Sequence, residues 1–264
     1  MTNHSAQTLL DATTAAIGAG GIRVVDLTHL LSPDFPTITL PPQFGQSAPF
    51  RSETISRYDE NGPAWYWSNF SCGEHTGTHF DAPAHWVTGR GLPNATVDLI
   101  PPANFVAGCC VLDCSTQAAA DPDFLLTIDA VQAWEKQHGT ISARSWVLMR
   151  TDWGYRQGAD YPNLREDGAH TPGPDAAVID WLIRERDILG FGTETIGTDA
   201  GQAHLLTPAY PAHSQLHGNN RYGLQCLTRL DQLPPRGALI VAAPLKMQDG
   251  SGSPVRVLAL VPGA

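Results

Sequence analysis

Short apolar runs recur along the chain and predict a fold rich in β-strands. Runs of this length, with many valines, isoleucines and leucines, are typical of buried strands. They cover residues 22–31, 104–114, 145–153, 188–200, 238–247 and 255–261. A further stretch, RYGLQCLTRL at 221–230, could begin either a helix or a strand.

Two segments between these runs predict helices, because their apolar residues recur every three or four positions. The first begins at Thr127 and stops at Gly139, and the second has Pro174 near its start and Gly190 at its end. Their apolar faces consist of Ile128, Val131 and Trp134 in the first segment and of Ile179, Leu182 and Ile183 in the second. The chain is therefore predicted to be mixed α/β.

The balance of strands and helices limits the architecture. A regular doubly wound sheet needs more helical crossovers than this chain offers. We predict a mixed sheet or a β-barrel-like core with two or three covering helices. The Pro/Gly-rich segments 32–50 and 161–175 read as long loops, which in a compact domain are usually functional or disordered. No repeat or linker is evident, so one domain over residues 1–264 is expected.

Charge and composition narrow the classes of function. Sixteen basic against twenty-six acidic residues give a formal charge of -10, which disfavours nucleic acid and anionic membrane surfaces as partners. No apolar run approaches the roughly 18 residues of a membrane span, and the stretch 8–20 carries Asp11 and no basic residue. We expect a soluble protein that acts on a small, neutral or weakly charged molecule.

The cysteines suggest a reducing compartment. The chain has five, an odd number without a C-x-x-C pair, so neither a disulfide framework nor a zinc knuckle is indicated. Cys109 and Cys110 lie in a strand-like run and are expected to be core residues. A cytoplasmic location follows as the default.

Residues 71–86, SCGEHTGTHFDAPAHW, hold the densest candidate chemistry of the chain. The H-x-x-x-H spacing of His75 and His79 resembles a helical zinc site, but Thr-Gly-Thr between them and Pro83 beyond them disfavour a helix. In an extended chain the odd-numbered residues His75, His79, Asp81 and His85 would share one face.

A straight strand would hold the backbones of His75 and His79 about 13 Å apart, which is awkward for binding one ion. We therefore predict a bend at Gly77 and a turn fixed by Pro83. Two imidazoles and a carboxylate, with positions left open for water and substrate, are typical of a catalytic metal site.

The sequence indicates the roles of several other histidines and of Phe70 less specifically. His213 and His217 lie four positions apart, and a solvated turn is the favoured interpretation for His217. Three other histidines, His29, His170 and His204, are assigned to structural hydrogen bonds. Phe70 is expected in the core.

The segment HTGTHFDAPAH at 75–85 resembles the H-x-G-T-H-x-D-x-P-x-H signature of the cyclase-like metal-dependent amidohydrolases, and it matches at every specified position. This family includes bacterial kynurenine formamidase and isatin hydrolase. Further similarity runs through DLTHLLSPDFP (26–36), VLMRTDWG (147–154), IGTDAG (196–201) and the segment 213–225, so the resemblance covers most of the chain beyond residue 22.

The resemblance implies a swivelling β/β/α fold, a homodimer or higher oligomer, and a metal held by His75, His79 and Asp81. His85 would lie beside the metal, and His213 would join the site. The formamidases have a glutamate where this chain has Gln225. With Asp81 as the only negative ligand, two divalent cations would be poorly compensated, so one ion with Gln225 nearby is expected. Glutamine here is similar to isatin hydrolases, which favours Mn²⁺, with Zn²⁺ as the alternative.

The implied reaction is hydrolysis of a cyclic amide C–N bond, with isatin as substrate and isatinate as product. Metal-activated water would attack the carbonyl, and His85 or His213 would carry the proton to the leaving nitrogen, with Asp81 orienting the water. Candidates for an aromatic slot around a planar ring are Phe44, Trp65, Trp67 and Trp86. The alternatives are an arylformamidase acting on N-formylkynurenine, a hydrolase of another small lactam or lactone, and a non-catalytic metal-binding protein.

Overall fold

The computed structural model describes residues 3–263, which form fifteen strands and five α-helices. The strands are β1 (Ile22–Asp26), β2 (Arg51–Arg57), β3 (Tyr66–Ser71), β4 (His79–Asp81), β5 (Val106–Asp113), β6 (Leu125–Leu126), β7 (Trp146–Arg150), β8 (Leu164–Arg165), β9 (Gly168–Ala169), β10 (Gly173–Pro174), β11 (Gly190–Thr193), β12 (Tyr222–Gln225), β13 (Arg236–Val241), β14 (Gly252–Pro254) and β15 (Leu258–Pro262). The helices are α1 (Asn3–Gly18), α2 (Ser115–Ala120), α3 (Ile128–His138), α4 (Ala176–Arg186) and α5 (Pro211–Gly218).

Nine strands form one mixed sheet in the order β1-β15-β13-β5-β7-β11-β12-β4-β14. The central strands β5, β7, β11 and β12 run parallel, and the flanking strands pair antiparallel. The sheet curls into a half-barrel, which confirms the predicted mixed α/β fold with a barrel-like core and few helices. Strand β12 pairs with β4 so that Gln225 lies opposite His79 and Gly223 lies opposite Asp81.

The hydrophobic core occupies both faces of this sheet. On β5, Cys109 and Val111 belong to one cluster and Cys110 and Leu112 to the other, as the alternation of side chains along a strand requires. The second cluster is covered by apolar residues of α3, α4 and α5. The two cysteines are buried, as the sequence predicted.

Both predicted helices form, but the second one is shorter than its pattern suggested. Helix α3 starts after Thr127, whose hydroxyl accepts a hydrogen bond from Ala130 N at 3.4 Å, and ends at His138, directly before the predicted stop at Gly139. Helix α4 is capped by Asp175, whose carboxylate accepts from Val178 N at 2.7 Å, while Pro174 belongs to β10. The predicted end at Gly190 is wrong, because Asp187 already takes the left-handed conformation with φ +48°.

Gly190 has a different role, because it starts β11 between two neighbouring strands. A Cβ atom there would lie 2.4 Å from the Trp146 ring and 2.5 Å from Tyr222 O. Glycine is thus required for close strand packing rather than for a helix end.

The remaining elements refine the sequence prediction. The ambiguous segment 221–230 contains strand β12, residues 32–50 contain no helix or strand, and 161–175 contains only the two-residue strands β8, β9 and β10. Helix α1 was not predicted, and two of its leucines, Leu9 and Leu10, are exposed. No helix among residues 3–263 is long and apolar enough to cross a bilayer.

Candidate metal centre

The bend predicted at Gly77 brings the first two histidines of the motif together. Gly77 has φ +71°, and the ring centroids of His75 and His79 are only 5.3 Å apart. After the bend, His79 and Asp81 lie on one face of β4, while Phe80 points into the hydrophobic core. The predicted bend at Gly77 is therefore confirmed, but the predicted extended chain holds only for His79 and Asp81, because His75 lies in a turn before β4 and His85 in a 3₁₀ turn after it.

His85 reaches the same place through a short 3₁₀ turn at Pro83–His85. Its ring centroid lies 3.8 Å from that of His75 and 5.5 Å from that of His213. Proline fits the first position of this turn because its fixed φ is already helical. The turn thus places a third imidazole of the motif over the first.

Helix α5 supplies two more histidines from the opposite side. The Nε2 atoms of His213 and His217 lie 3.7 Å and 3.9 Å from Asp81 Oδ2, since residues four apart share a helix face. The prediction of a solvated turn for His217 is wrong, because this side chain is 0% exposed. The i, i+4 spacing was the available signal, but the eight-residue helix that gives it meaning was not predicted.

Asp81 is the centre of the cluster. It is fully buried, with Oδ1 2.7 Å from His75 Nδ1 and 3.5 Å from His79 Nε2. Its Oδ2 accepts a short hydrogen bond from the Gln225 amide on the neighbouring strand. Two sets, His75/His79/Asp81 and Asp81/His85/His213, each place one ligand atom per residue within 4.8 Å of the others.

Hydrogen bonds outside the cluster fix the tautomers of two of the histidines. A carbonyl oxygen can only accept, so His79 Nδ1–H donates to Gly77 O at 2.7 Å and His217 Nδ1–H donates to Arg221 O at 3.2 Å. When neutral, both rings must therefore present an unprotonated Nε2 towards Asp81. Lone pairs aimed at a common point are what a metal site requires.

His75 points its Nδ1, rather than its Nε2, towards Asp81. Ser251 and Glu74, which the sequence did not single out, hold it in this orientation. Its Nε2 lies 3.0 Å from Ser251 Oγ, and Ser251 Oγ donates to Glu74 Oε2 at 2.5 Å. Because the serine hydrogen is engaged by the carboxylate, the serine oxygen must accept from His75 Nε2–H. Ser251 lies 176 positions from His75, so local spacing carried no signal for this pair.

Asp199 orients His213 through its outer ring nitrogen, as Ser251 orients His75. Its Oδ2 lies 2.5 Å from His213 Nδ1, and its Oδ1 accepts from Ala212 N at 2.7 Å. The IGTDAG segment was part of the similarity noted above, but the role of its aspartate becomes apparent only when α5 is placed beside it. His213 Nε2 is left facing Asp81.

The electrostatic environment keeps most of these imidazoles neutral. Burial lowers the pKa of His79 to about 4, of His85 to about 3 and of His217 to about 4. Burial opposes ionisation of Asp81 too, yet the neighbouring His85 and His75 hold the pKa of this carboxyl well below its usual range. For His213 burial is outweighed by Asp199, which raises its pKa.

These residues fit a divalent cation. Neutral imidazoles and one ionised carboxylate are the donors that Zn²⁺ and Mn²⁺ use in proteins. In addition, His217 Nε2 is buried and has no hydrogen-bond partner among the described residues. Such an unpaired buried nitrogen is costly unless a ligand satisfies it.

The candidate substrate residues separate into two groups. Trp86 lies at the cluster, with its ring centroid 4.9 Å from that of His213 and 5.8 Å from that of Tyr210. Phe44, Trp65 and Trp67 are all at least half exposed, and no ring contact joins them to a histidine within residues 3–263. The core assignment of Phe70 is wrong, since it is exposed on β3, a strand that joins no larger sheet.

The three histidines assigned to structural hydrogen bonds lie outside the cluster, and among the described residues His29 Nε2 has no hydrogen-bond partner. His170 bonds Asp123 at 2.7 Å and Asp167 at 2.9 Å, as expected for a structural residue. His29 packs against Phe35 and Tyr161, and His204 is exposed. None of the three belongs to either ligand set around Asp81.

Comparison with known proteins identifies what the chain is similar to. The family model described as "Putative cyclase" matches residues 25–200. An isatin hydrolase from Roseibium aggregatum is 47% identical over 263 residues, which are 98% of this chain and 100% of the relative.

Two solved structures have the same fold over nearly the whole chain. Isatin hydrolase A from Ralstonia solanacearum is 62% identical, with a TM-score of 0.94 over 96% of this chain and 97% of the other. An isatin hydrolase bound to the product analogue thioisatinate is 46% identical, with a TM-score of 0.96 over 99% of this chain and 100% of the other.

Proposed function

Since the chain belongs to the cyclase family of metal-dependent hydrolases, we propose that it hydrolyses the cyclic amide bond of isatin to give isatinate. The observation that carries the proposal is the buried Asp81 with the inward-facing nitrogens of four histidines around it. Similarity to isatin hydrolases over almost the full length supports the choice of substrate.

The proposed cofactor is one divalent ion, with Mn²⁺ favoured and Zn²⁺ as the alternative. His75, His79 and Asp81 would hold it. A bound divalent cation polarises a carbonyl and lowers the pKa of water from 15.7 to about 7. Gln225 is proposed at the edge of this set. Its amide donates to Asp81 Oδ2. Because glutamine carries no charge, it cannot compensate a second cation, which favours one ion over two.

Proton transfer is assigned to the side of the cluster that faces Trp86. Water adds to the amide carbonyl carbon, the C–N bond breaks, and the leaving nitrogen takes up a proton. His213 is suited to carry that proton, because Asp199 at 2.5 Å from Nδ1 stabilises the imidazolium form. His85 is proposed to contact the substrate. Asp81, with two oxygens in the cluster, would also orient the attacking water.

The planar substrate is proposed to stack on Trp86, whose ring lies beside His213. Phe44, Trp65 and Trp67 are retained as further candidates for this slot, although in this chain they lie exposed. We also infer that the protein acts as a homodimer or higher homo-oligomer, as the family resemblance implies. A cytoplasmic location is proposed as the default for a chain with free cysteines.

The test is a metal-dependent assay. The purified protein is stripped with a chelator, restored with Mn²⁺ or Zn²⁺, and isatin ring opening is followed by absorbance. Turnover of isatin that needs the metal supports the proposal. Turnover of N-formylkynurenine in preference to isatin would reassign the chain as an arylformamidase, and metal binding without hydrolysis of any aryl amide, lactam or lactone would make it a binding protein.

A further inference from the structure

His217 has a buried ring nitrogen that no protein group satisfies. The side chain is 0% exposed, and no group between residues 3 and 263 bonds its Nε2. The other nitrogen, Nδ1, donates its hydrogen to Arg221 O at 3.2 Å, so Nε2 of the neutral ring holds a lone pair and can only accept. An unsatisfied buried acceptor is costly, so a donor is expected at this position.

The nearest polar atom that faces this nitrogen is also an acceptor. His217 Nε2 lies 3.9 Å from Asp81 Oδ2, which is beyond hydrogen-bond distance. A carboxylate oxygen and an unprotonated imidazole nitrogen cannot bond each other, because neither has a hydrogen to give. The gap between them needs a small molecule with two donor hydrogens. A water about 2.8 Å from each atom spans it.

The two oxygens of Asp81 face different groups of histidines. Oδ1 lies 2.7 Å from His75 Nδ1 and 3.5 Å from His79 Nε2, the proposed ligands of the ion. Oδ2 lies 3.7 Å from His213 Nε2 and 3.9 Å from His217 Nε2. His217 belongs to neither set of converging ligand atoms. Its free nitrogen therefore faces the second oxygen of Asp81 and not the proposed ion.

Helix α5 holds His217 and the proposed proton donor side by side. His213 and His217 are one turn apart on the same helix face, and their outer nitrogens are bound by Asp199 and by Arg221 O. The helix is itself fixed by close packing, since a Cβ atom at Gly89 would lie 3.0 Å from His217 O. A proton donor and a bare acceptor thus lie beside one carboxylate oxygen in fixed positions.

From these contacts we propose that His217 Nε2 and Asp81 Oδ2 together hold the water that attacks the amide carbonyl. This role rests on the proposed hydrolysis of isatin. Each acceptor takes one hydrogen of the water, so the lone pairs of the water oxygen stay free to point at the carbonyl carbon. His217 gains no proton, and the bond changes are those of the hydrolysis itself.

Two substitutions separate the two nitrogens of His217. In His217→Asn the side-chain amide reaches the position of Nδ1 and can keep the bond to Arg221 O, but no atom reaches the position of Nε2. In His217→Gln the amide oxygen reaches that inner position, and the bond to Arg221 O is lost. We expect the asparagine variant to lower kcat for isatin about 10- to 100-fold, with KM changed less than about threefold, and the glutamine variant to recover most of the loss.

The pattern of the two variants distinguishes the proposal from a structural role. Wild-type kcat in His217→Asn would overturn the proposal, because the inner acceptor would not be needed. An inactive glutamine variant beside an active asparagine variant would assign His217 only the support of Arg221. His204→Asn changes an exposed histidine outside the cluster, and this control should keep the wild-type kcat.

Binding of Mn²⁺ tests whether His217 holds the ion instead of the water. Since His217 lies outside both ligand sets, we expect His217→Asn to change the Mn²⁺ affinity, measured by equilibrium dialysis, by less than about 10-fold. A larger fall would make His217 a ligand of the ion and overturn the proposal. This measurement does not depend on activity.

The ring nitrogens of His217 give a further readout without turnover. In the Zn²⁺ form, which is diamagnetic, ¹⁵N NMR of the wild-type chain should show hydrogen on Nδ1 and none on Nε2. A hydrogen on Nε2 would overturn the proposal, because the ring could then donate to Asp81 and would not accept from water. A wild type that does not hydrolyse isatin would refute the proposed function, whereas an active wild type with an equally active His217→Asn would refute only the role of His217.

Discussion

At the scale of single residues, the candidate metal centre depends on groups that lie outside the proposed ligand set. Each of four inward-facing imidazoles, His75, His79, His213 and His217, has its other ring nitrogen within hydrogen-bonding distance of Ser251, Gly77 O, Asp199 or Arg221 O. These contacts fix the ring orientation and determine which nitrogen carries the proton. The four imidazoles are therefore held in the orientations that the proposed ion would need.

Removing the Ser251 hydroxyl is the sharpest test of this orientation. In Ser251→Ala, His75 Nε2 loses its partner, and we expect metal affinity to fall about 10- to 100-fold, the usual effect of losing an outer hydrogen bond. Equilibrium dialysis of Mn²⁺ measures this without relying on activity. Ser251→Thr keeps the hydroxyl and should restore most of the affinity. Unchanged affinity in the alanine variant would show that Ser251 does not orient the ligand.

Glu194 is a buried acid that should make stability depend on pH. Burial raises its pKa to about 7, one oxygen accepts from Thr151 N at 2.7 Å, and the other has no partner among the described residues. The folded chain therefore holds a proton up to about pH 7, whereas the unfolded chain loses it near 4.5. Between these two values the unfolded chain releases its proton while the folded chain keeps it, so the free energy of unfolding falls. The contribution of Glu194 to this free energy is fully present below pH 4.5 and is lost as the pH rises to 7.

The variant Glu194→Gln should not lose stability between pH 4.5 and 7, because glutamine does not ionise. Relative to wild type it should be more stable above pH 7 by up to about 3 kcal/mol, and the difference should shrink towards pH 4.5. Urea unfolding at several pH values and one protein concentration measures the difference. A constant difference across this range would mean that Glu194 does not titrate there.

At the scale of elements, the bend between His75 and β4 turns a linear motif into a site. Gly77 has φ +71°, and a Cβ atom there would lie 2.9 Å from Leu31 Cδ1. Any other residue would be strained by roughly 1–2 kcal/mol and would also press on Leu31.

Gly77→Ala should therefore lose both stability and metal affinity. Gly91→Ala is a matched control, because Gly91 has φ +77° and nothing within 4 Å of its Cβ position. We expect thermal unfolding to show a similar backbone cost of about 1 kcal/mol in both variants and Mn²⁺ titration to show weaker binding only in Gly77→Ala. Equal metal affinities would mean that the bend tolerates a side chain.

At the scale of the whole molecule, the ion should link parts of the chain that lie far apart in sequence. The proposed ligands lie in and just before β4, Gln225 lies in β12, and the further histidines come from the turn at Pro83–His85 and from α5. An ion that binds only the folded state stabilises it by RT ln(1 + [L]/Kd), which is about 2.7 kcal/mol at 100 times Kd.

For a chain of this size that stabilisation corresponds to roughly 5–10 °C in Tm. Calorimetry with and without Mn²⁺ should show the shift, and His79→Ala should abolish it. Leu99→Ser, an exposed change away from the cluster, is the control that should keep the shift. If chelation leaves the wild-type Tm unchanged, the cluster does not hold a structural or catalytic ion.

The sequence by itself determined the shared face of His79 and Asp81, the bend at Gly77, the two helices and the mixed α/β class, because these follow from short-range backbone preferences. It missed the burial of His217, the end of α4 at Arg186 and the Ser251–Glu74 pair. Each of these depends on which distant segments pack together. Only the tertiary structure decided that α5 faces β4 and that residue 251 meets residue 75, since such contacts arise from burying apolar surface across the whole sheet.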